Sequence, residues 1–185
     1  MRRMSTVGEW SYWNSLARDR PAEPFELAVL GSFPVLLGAG FSSMFHTETV
    51  TAVRTWSSRN GYQSVAMFLS LPDPEEYCAE SGIFGGIVVD GKDEPADIEA
   101  ALFSAGPDGV PMSIYDVSHR FVVIPEDASW ILMGDRDADV ALYGFVNDEA
   151  RQDFMCGAPD LIVFASLEEA ARYAKSFMNY DLAIP

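Results

Sequence analysis

The chain has 185 residues, of which 49% are hydrophobic and 12% aromatic, and its formal net charge is −16. This length suits one domain that buries its own core without disulfides or metal, and the apolar content excludes a disordered chain. Residues 73–160 carry 20 acidic side chains against four basic ones, so the whole net charge lies in the middle of the sequence. A field of that sign repels nucleic acids and anionic membranes and attracts basic partners, although acidity can also serve solubility alone.

Cysteine use and the start of the chain bear on the cellular compartment. Cys78 and Cys156 are the two cysteines, and they lie far apart in no paired spacing. Such sparse use is typical of a reducing compartment, so no disulfide framework is expected. The basic residues at positions 2 and 3 are followed by polar and aromatic residues, not by the apolar core of a signal peptide. We therefore expect a cytoplasmic protein.

The uncharged stretch at residues 27–45 is long enough to raise the question of a membrane span. Gly31, Pro34, Gly38 and Gly40 interrupt it, and its near flanks carry acids instead of lysine or arginine. We predict a buried helix, a turn and a strand here, with a membrane-associated segment as the alternative. The glycines match a phosphate-binding loop only in part, since a third glycine and a following lysine are missing, so nucleotide binding is not expected.

Cap residues and helical spacing predict several helices. Thr6 begins a capping box, and Trp10 and Trp13 follow at helical spacing, so residues 1–22 are expected to hold a helix that packs on the domain. Further helices are predicted over residues 24–30 and 73–82, and from residues 95, 147 and 166 onward. The last of these is expected to bury Leu167, Ala170, Ala171, Ala174, Phe177 and Met178. Residues 47–58 are ambiguous, because their apolar spacing suits a helix and their threonines favour a strand; a helix is preferred.

The stretch at residues 121–146 is expected to organise the fold as a β-meander, with Trp130 and Tyr143 anchoring its packing. Its apolar runs, separated by two acidic turns, are residues 121–124, 130–133 and 140–146. Other strands are predicted over residues 63–71, 83–89, 112–115 and 160–164. These patterns predict a single α+β domain over residues 1–185, with a mostly antiparallel sheet, a C-terminal β-meander and packed helices.

The second acidic turn of the meander invites comparison with a calcium-binding loop. Asp135, Asp137 and Asp139 match the first three ligand positions of such a loop. Val140 and Val146, however, stand where the loop needs a glycine and a bidentate glutamate. We therefore predict a hairpin turn here and no metal site.

Catalytic side chains other than carboxylates are few. The two histidines, His46 and His119, and the two cysteines form no nucleophile–base signature and no zinc-ligand spacing. Carboxylates are abundant, but most fall in turns and in the first turns of helices, where the helix dipole explains them. We therefore expect no enzyme activity and no cofactor. An enzyme of unrecognised type that uses paired carboxylates is an alternative.

The last third of the chain resembles bacterial immunity proteins, which protect cells from polymorphic toxins of contact-dependent or type VI secretion. The strand LIVF and the capped helix start SLEEA, residues 161–164 and 166–170, resemble the closing strand and helix of several such families. The segment SWILMGDRDADVALYGF, residues 129–145, is similar to their Trp-led, acid-turned hairpins. The resemblance implies a non-enzymatic protein that covers the active site of a toxin, which is basic when that toxin is a nuclease.

These expectations combine into an immunity or inhibitor protein that neutralises a cognate toxin with a basic surface, for example a nuclease, by binding it through an acidic surface. The carboxylates expected to bind it are Glu126, Asp127, Asp135, Asp137, Asp139, Asp148 and Glu149. The alternative is a structural or adaptor module that self-associates through exposed aromatic surfaces, with Trp10, Trp13 and Trp56 as anchors.

Overall fold

The computed structural model describes residues 1–18, 33–81, 84–104 and 113–181, which form a single α+β domain as predicted. The strands are β1 (Arg2–Arg3), β2 (Val35–Gly40), β3 (Val65–Leu71), β4 (Gly86–Val89), β5 (Arg120–Pro125), β6 (Trp130–Asp135) and β7 (Val140–Phe145). The α-helices are α1 (Val7–Arg18), α2 (Thr47–Arg59), α3 (Pro74–Ser81), α4 (Pro95–Phe103), α5 (Ile114–Val117), α6 (Asp148–Met155) and α7 (Leu167–Met178). A 3-10 helix at Phe41–Phe45 joins β2 to α2.

The seven described strands form one antiparallel sheet in the order β1-β4-β3-β5-β6-β7-β2. The predicted meander is confirmed as the three adjacent strands β5, β6 and β7. Val65 lies opposite both Val89 and Pro125, and Trp130 lies opposite Phe145. The loop after β4, the β5–β6 turn and the loop after β7 therefore meet at one end of the sheet, which we call the β5–β6 end. The turn between β6 and β7 lies at the other end, the β6–β7 end.

Helices cover both faces of the sheet. One face packs against α2, α4, α6 and the 3-10 helix, and it buries Trp130 and Tyr143, which confirms their predicted role in the core. The other face packs against α1 through Trp10 and Trp13. Because both faces are covered, the strands are apolar along nearly their whole length. On β3, Met67 on one face is fully buried and Phe68 on the other is 1% exposed.

The sequence signals for helix starts are confirmed at several elements. The Thr6 hydroxyl oxygen accepts a 3.1 Å hydrogen bond from the Glu9 N–H at the start of α1. The Asn147 and Ser166 side chains cap α6 and α7 in the same way, accepting from the N–H groups of Ala150 and Glu169. Residues 47–58, where threonines also favoured a strand, lie within α2. The helix predicted over residues 24–30 lies outside the described residues.

Two predicted strands are wrong. In the described part of the strand predicted at residues 112–115, from residue 113 onward, the chain instead starts the helical turn α5, because Ser113 and Asp116 form a capping box that favours a helix start. Residues 161–164 form no strand. The Phe164 N–H donates a 2.6 Å hydrogen bond to the Gly38 carbonyl of the edge strand β2. One bond of this kind is too few to make a ladder.

Helix α7 packs over the outer part of the sheet through small residues. Ala170 and Ala174 are buried against Val140 and Leu142 of β7. The helix approaches β2 so closely that a Cβ on Gly38 would lie 3.0 Å from the Ala170 Cβ. Phe177 and Met178, predicted to be buried, are instead 75% and 43% exposed, because they lie beyond the part of α7 that packs on the sheet.

The uncharged stretch at residues 27–45 is described from residue 33 onward. There it forms β2 and the 3-10 helix, with Phe33, Phe41 and Phe45 buried. Gly38 and Gly40 belong to the edge strand and not to a phosphate-binding loop. Within the described ranges, none of the helices has the length and apolar character that crossing a membrane requires.

Candidate functional site

The predicted partner-binding carboxylates divide into two groups at opposite ends of the sheet. Glu126 and Asp127 lie in the β5–β6 turn, and Asp148 and Glu149 begin α6 directly after β7. All four side chains are exposed and lie at the β5–β6 end, and we refer to them as the acidic surface. The other three acids lie in and beside the β6–β7 turn, about 20 Å away along strands of six residues. The seven carboxylates therefore do not form one continuous surface.

Asp135, which was predicted to bind a partner, is buried and has a structural role. Its side chain is 2% exposed, and its Oδ2 accepts a 2.8 Å hydrogen bond from the Nε of Arg120. Its Oδ1 accepts hydrogen bonds from the backbone N–H groups of Asp137 and Ala138, at 2.9 and 3.2 Å. Since both carboxylate oxygens hold the chain in its turn, this acid is not available to another protein.

Asp139 also has an internal role, whereas Asp137 does not. The Tyr173 hydroxyl donates a 2.5 Å hydrogen bond to Oδ2 of Asp139, which links the turn to α7. This bond, with burial and the charge of the carboxylate, raises the pKa of Tyr173. Asp139 has a φ of +50°, in the left-handed region that aspartate tolerates in turns. Asp137 is exposed, with its carboxylate 3.8 Å from the Nδ1 of His119. The predicted hairpin turn is confirmed.

The β5–β6 turn holds its two acids in a defined position. The Asp127 Oδ1 accepts a 2.9 Å hydrogen bond from the Ser129 N–H, which forms a short side-chain turn. The Glu126 N–H donates to the carbonyl of Ser64, which ties the turn to β3. The Tyr12 hydroxyl lies 3.4 Å from the Glu126 Oε1, and burial, followed by the charge of that carboxylate, raises the pKa of Tyr12.

A groove lies beside the acidic surface, between the C-terminal end of α2, the β5–β6 turn and α6. Its volume is about 600 Å³, within the range of ligand-binding clefts. The residues that carry its chemistry are Trp56, Arg59, Asp127, Ser129, Glu149 and Asp153. Two members of the acidic surface, Asp127 and Glu149, therefore also line the groove, whereas Glu126 and Asp148 lie outside it.

The groove has one arginine, and that arginine is paired. The Arg59 guanidinium lies 3.1 Å from Oδ1 of Asp153, and the Asn60 Nδ2 donates a 2.8 Å hydrogen bond to the other oxygen of the same carboxylate. A hydrogen bond to the Cys156 side chain, followed by the charge of Asp153, raises the pKa of Arg59. The Arg59–Asp153 pair is thus satisfied within the groove wall, and the remaining lining charge is negative.

Comparisons with known proteins leave the interpretation to this geometry. No protein-family model, curated protein or solved structure matches the chain.

Sequence reasoning did not find the groove, because its two halves are distant in the chain. Trp56, Arg59 and Asn60 end α2, whereas Asp153 lies on α6 about 93 residues later. At Asn60 the sequence pattern indicates only the end of a helix. To find the groove, one would have to know that α2 contacts α6. Gly157, just after α6, is the residue that could have indicated this contact, because a Cβ there would lie 2.7 Å from the Ala52 Cα.

The self-association alternative loses its named anchors. Trp10, Trp13 and Trp56 are 6%, 3% and 2% exposed, so the prediction that they are exposed anchors for self-association is wrong. A nucleophile–base pair of Cys156 and His46 is also ruled out by distance. Cys156 lies beside Arg59 at the C-terminal end of α2, whereas His46 precedes the N-terminus of that helix, about 20 Å away over 13 residues.

Two carboxyl groups of the described residues have clearly shifted pKa values. Asp116 and Glu168 depart from the ordinary pKa of their side chains, and both pKa values are lowered, by the hydroxyl groups of Ser113 and Ser166 respectively. Neither group lines the groove. Throughout the part of the chain that the structure describes, no three or more His, Cys, Asp or Glu side chains are grouped to hold a metal ion.

Proposed function

We propose that this protein is a non-enzymatic inhibitor that binds a basic partner protein at the acidic surface, in the manner that the resemblance to immunity proteins implies. Four exposed carboxylates on two neighbouring segments are the observation that carries this function: Glu126 and Asp127 on the β5–β6 turn, and Asp148 and Glu149 on the first turn of α6. Both segments follow buried strands of the same sheet, so the charges are held on a rigid scaffold. Interfaces built on rigid elements lose little conformational freedom on binding.

The local basic residues do not neutralise the acidic surface. Arg151 pairs with Asp148 at 3.0 Å, and Arg59 pairs with Asp153 in the groove. Glu126, Asp127 and Glu149 therefore keep an unbalanced negative charge. A partner with the opposite charge would associate faster at low salt, and the attraction would weaken once the Debye length falls below about 10 Å, near 0.1 M salt.

The negative net charge disfavours two other classes of partner. With a net charge of −16, the chain repels nucleic acid and anionic membrane surfaces before any contact forms. A protein whose own site binds phosphate groups is basic at that site, so its charge is complementary to the acidic surface. Carboxylates can then occupy the positions of phosphate oxygens. A nuclease toxin is the partner class that fits this chemistry.

The test is co-expression with the protein encoded by the adjacent gene, followed by kinetics on the purified pair. The variant Glu126→Gln/Asp127→Asn/Asp148→Asn/Glu149→Gln should slow association by about tenfold or more at low salt and abolish protection from the partner's toxicity. The matched control, Glu75→Gln/Glu76→Gln/Asp137→Asn/Asp160→Asn, removes the same charge from exposed positions outside the acidic surface. Equal effects of the two variants, or no inhibition by the wild-type chain, would overturn the proposal.

A further inference from the structure

We propose that the groove receives an arginine-bearing segment of the partner protein, so that this arginine is the anchor of the complex. The inference rests on the proposed function and assigns the groove a role within it. The groove holds about 600 Å³, which accommodates one long side chain together with the backbone on either side of it. The occupant is therefore a short stretch of polypeptide and not a flat protein surface.

The charges of the groove match a cation. Its lining contains the carboxylates of Asp127, Glu149 and Asp153 and the guanidinium of Arg59. Asp153 is occupied by Arg59 and by the Asn60 side chain, as described above. Asp127 uses one oxygen for the Ser129 N–H, and the described residues provide no hydrogen bond or ion pair to the carboxylate of Glu149. Two carboxylates therefore lie in a concave site whose walls focus their electrostatic field, and this arrangement favours the binding of a positive charge.

The arrangement of acceptors favours arginine over lysine. Asp127 belongs to the β5–β6 turn, whereas Glu149 belongs to the first turn of α6, so the two carboxylates face the groove from different walls. A planar guanidinium has five N–H donors that diverge in fixed directions and can bond two walls at once. An ammonium group is a compact point charge without that geometry.

The remaining lining suits the rest of an arginine side chain. Ser129 lines the groove, and its Oγ is buried without a hydrogen-bond partner, which is unusual for a polar atom in a folded protein. Rotation about χ1 of Ser129 would offer this oxygen as a further acceptor. Trp56, Val146 and Ala150 supply apolar surface for the methylene groups of the arginine. Arginine is also among the residues that most often anchor protein interfaces.

The experiment titrates the isotopically labelled protein with the capped tripeptide acetyl-Gly-Arg-Gly-amide and follows the backbone amide shifts of Ser129, Asn147 and Ala150. Peptides with lysine or with the uncharged isostere citrulline replace the arginine in parallel titrations. The arginine peptide should shift these amides at the lowest concentration, the lysine peptide should bind more weakly, and the citrulline peptide should bind least. Absence of shifts with the arginine peptide, or equal binding of lysine and arginine, would overturn the inference.

A pair of matched double variants separates the groove from the surface charge around it. Asp127→Asn/Glu149→Gln removes two charges from the groove lining, and Glu126→Gln/Asp148→Asn removes two charges from the same surface outside it. The first double variant should weaken binding of the arginine peptide by about tenfold more than the second. Equal weakening would show that only general charge matters and would refute the groove as a site.

This experiment fails independently of the proposed function. The peptide titration needs no partner protein, so a specific arginine site would stand even if the adjacent gene product did not bind. If the partner binds and Asp127→Asn/Glu149→Gln binds it as tightly as Glu126→Gln/Asp148→Asn does, the inhibitor function stands and the arginine anchor falls.

Discussion

The Nε of Arg120 donates a 2.8 Å hydrogen bond to Oδ2 of Asp135, directly across the neighbouring strands β5 and β6. The arginine side chain is 27% exposed and the aspartate 2% exposed, so the pair spans the boundary between solvent and core. Because the other oxygen of Asp135 accepts from two backbone N–H groups of the β6–β7 turn, one carboxylate fixes both a strand pair and a hairpin.

Substitution of Asp135 should therefore affect stability, although this acid was expected to bind a partner. Asp135→Asn leaves the shape but removes the charge that Arg120 and the turn N–H groups bond, and we expect a loss of about 2–3 kcal/mol in the free energy of unfolding. Asp137→Asn, the same change two residues along on an exposed side chain, should stay within about 0.5 kcal/mol of wild type. Urea unfolding measures both, and equal midpoints would contradict the structural role.

Gly157 allows α6 and α2 to pack closely, and a methyl group there should force them apart. A Cβ on Gly157 would lie 2.7 Å from the Ala52 Cα, which belongs to backbone and cannot move aside. Gly157→Ala is expected to cost about 1–3 kcal/mol in thermal or urea unfolding. Gly8→Ala is the control, because no atom lies within 4 Å of its Cβ and alanine favours a helix; it should be neutral or stabilise by about 0.5–1 kcal/mol. A Gly157→Ala protein as stable as wild type would exclude the close contact.

The hydrogen bond from Tyr173 to Asp139 predicts a change of stability at alkaline pH. The pKa of Tyr173 in the folded protein lies above that of the unfolded chain, which is about 10. The stability from this hydroxyl is therefore fully present below pH about 10 and is lost as pH rises through the folded-state pKa. Urea unfolding between pH 8 and pH 11 should show a smaller alkaline loss for Tyr173→Phe than for wild type.

Two features make the Tyr173 experiment specific. Burial also raises the pKa of Tyr143, but this residue is present in both proteins and cancels in the difference. Tyr62→Phe removes an exposed phenol at the β5–β6 end and should keep the wild-type dependence on pH. Identical alkaline losses in Tyr173→Phe and wild type would mean that the bond to Asp139 contributes nothing to folding.

Asn147 connects helix stability to the groove. Its side chain accepts a 2.8 Å hydrogen bond from the Ala150 N–H and so caps α6, which forms one wall. Asn147→Ala should lower the free energy of unfolding by about 1 kcal/mol. Gln152→Ala, an exposed change on the same helix, should stay within about 0.5 kcal/mol. Thermal unfolding distinguishes the two variants, and equal transition temperatures would contradict a stabilising role of the Asn147 cap.

The sequence predicted those elements whose signals are local. Thr6, Asn147 and Ser166 each accept a backbone hydrogen bond that starts a helix, and their residue types are strong cap formers wherever they occur. The three apolar runs of the meander were found in the same way, since short strands joined by tight turns need no distant partner.

The failures come from contacts between distant residues. Nothing near residues 161–164 indicates that the segment makes one bond to Gly38 instead of a ladder. Nothing near Phe177 indicates that this end of α7 does not pack on the sheet. The internal role of Asp135 could not be predicted for the same reason. Asp135 and Asp127 are both aspartates in similar turns, but of these two it is Asp135 that bonds an arginine on the neighbouring strand.

The pairing of β2 with β7 has a consequence for synthesis of the chain. β2 aligns Val35 with Phe145, and this strand partner is made about 100 residues later. While the ribosome extends the chain, β2 remains an apolar strand without a partner, and the sheet can close on that side only after the meander has emerged. Truncated chains that end before β7 would expose β2 and are the forms that a chaperone would need to hold.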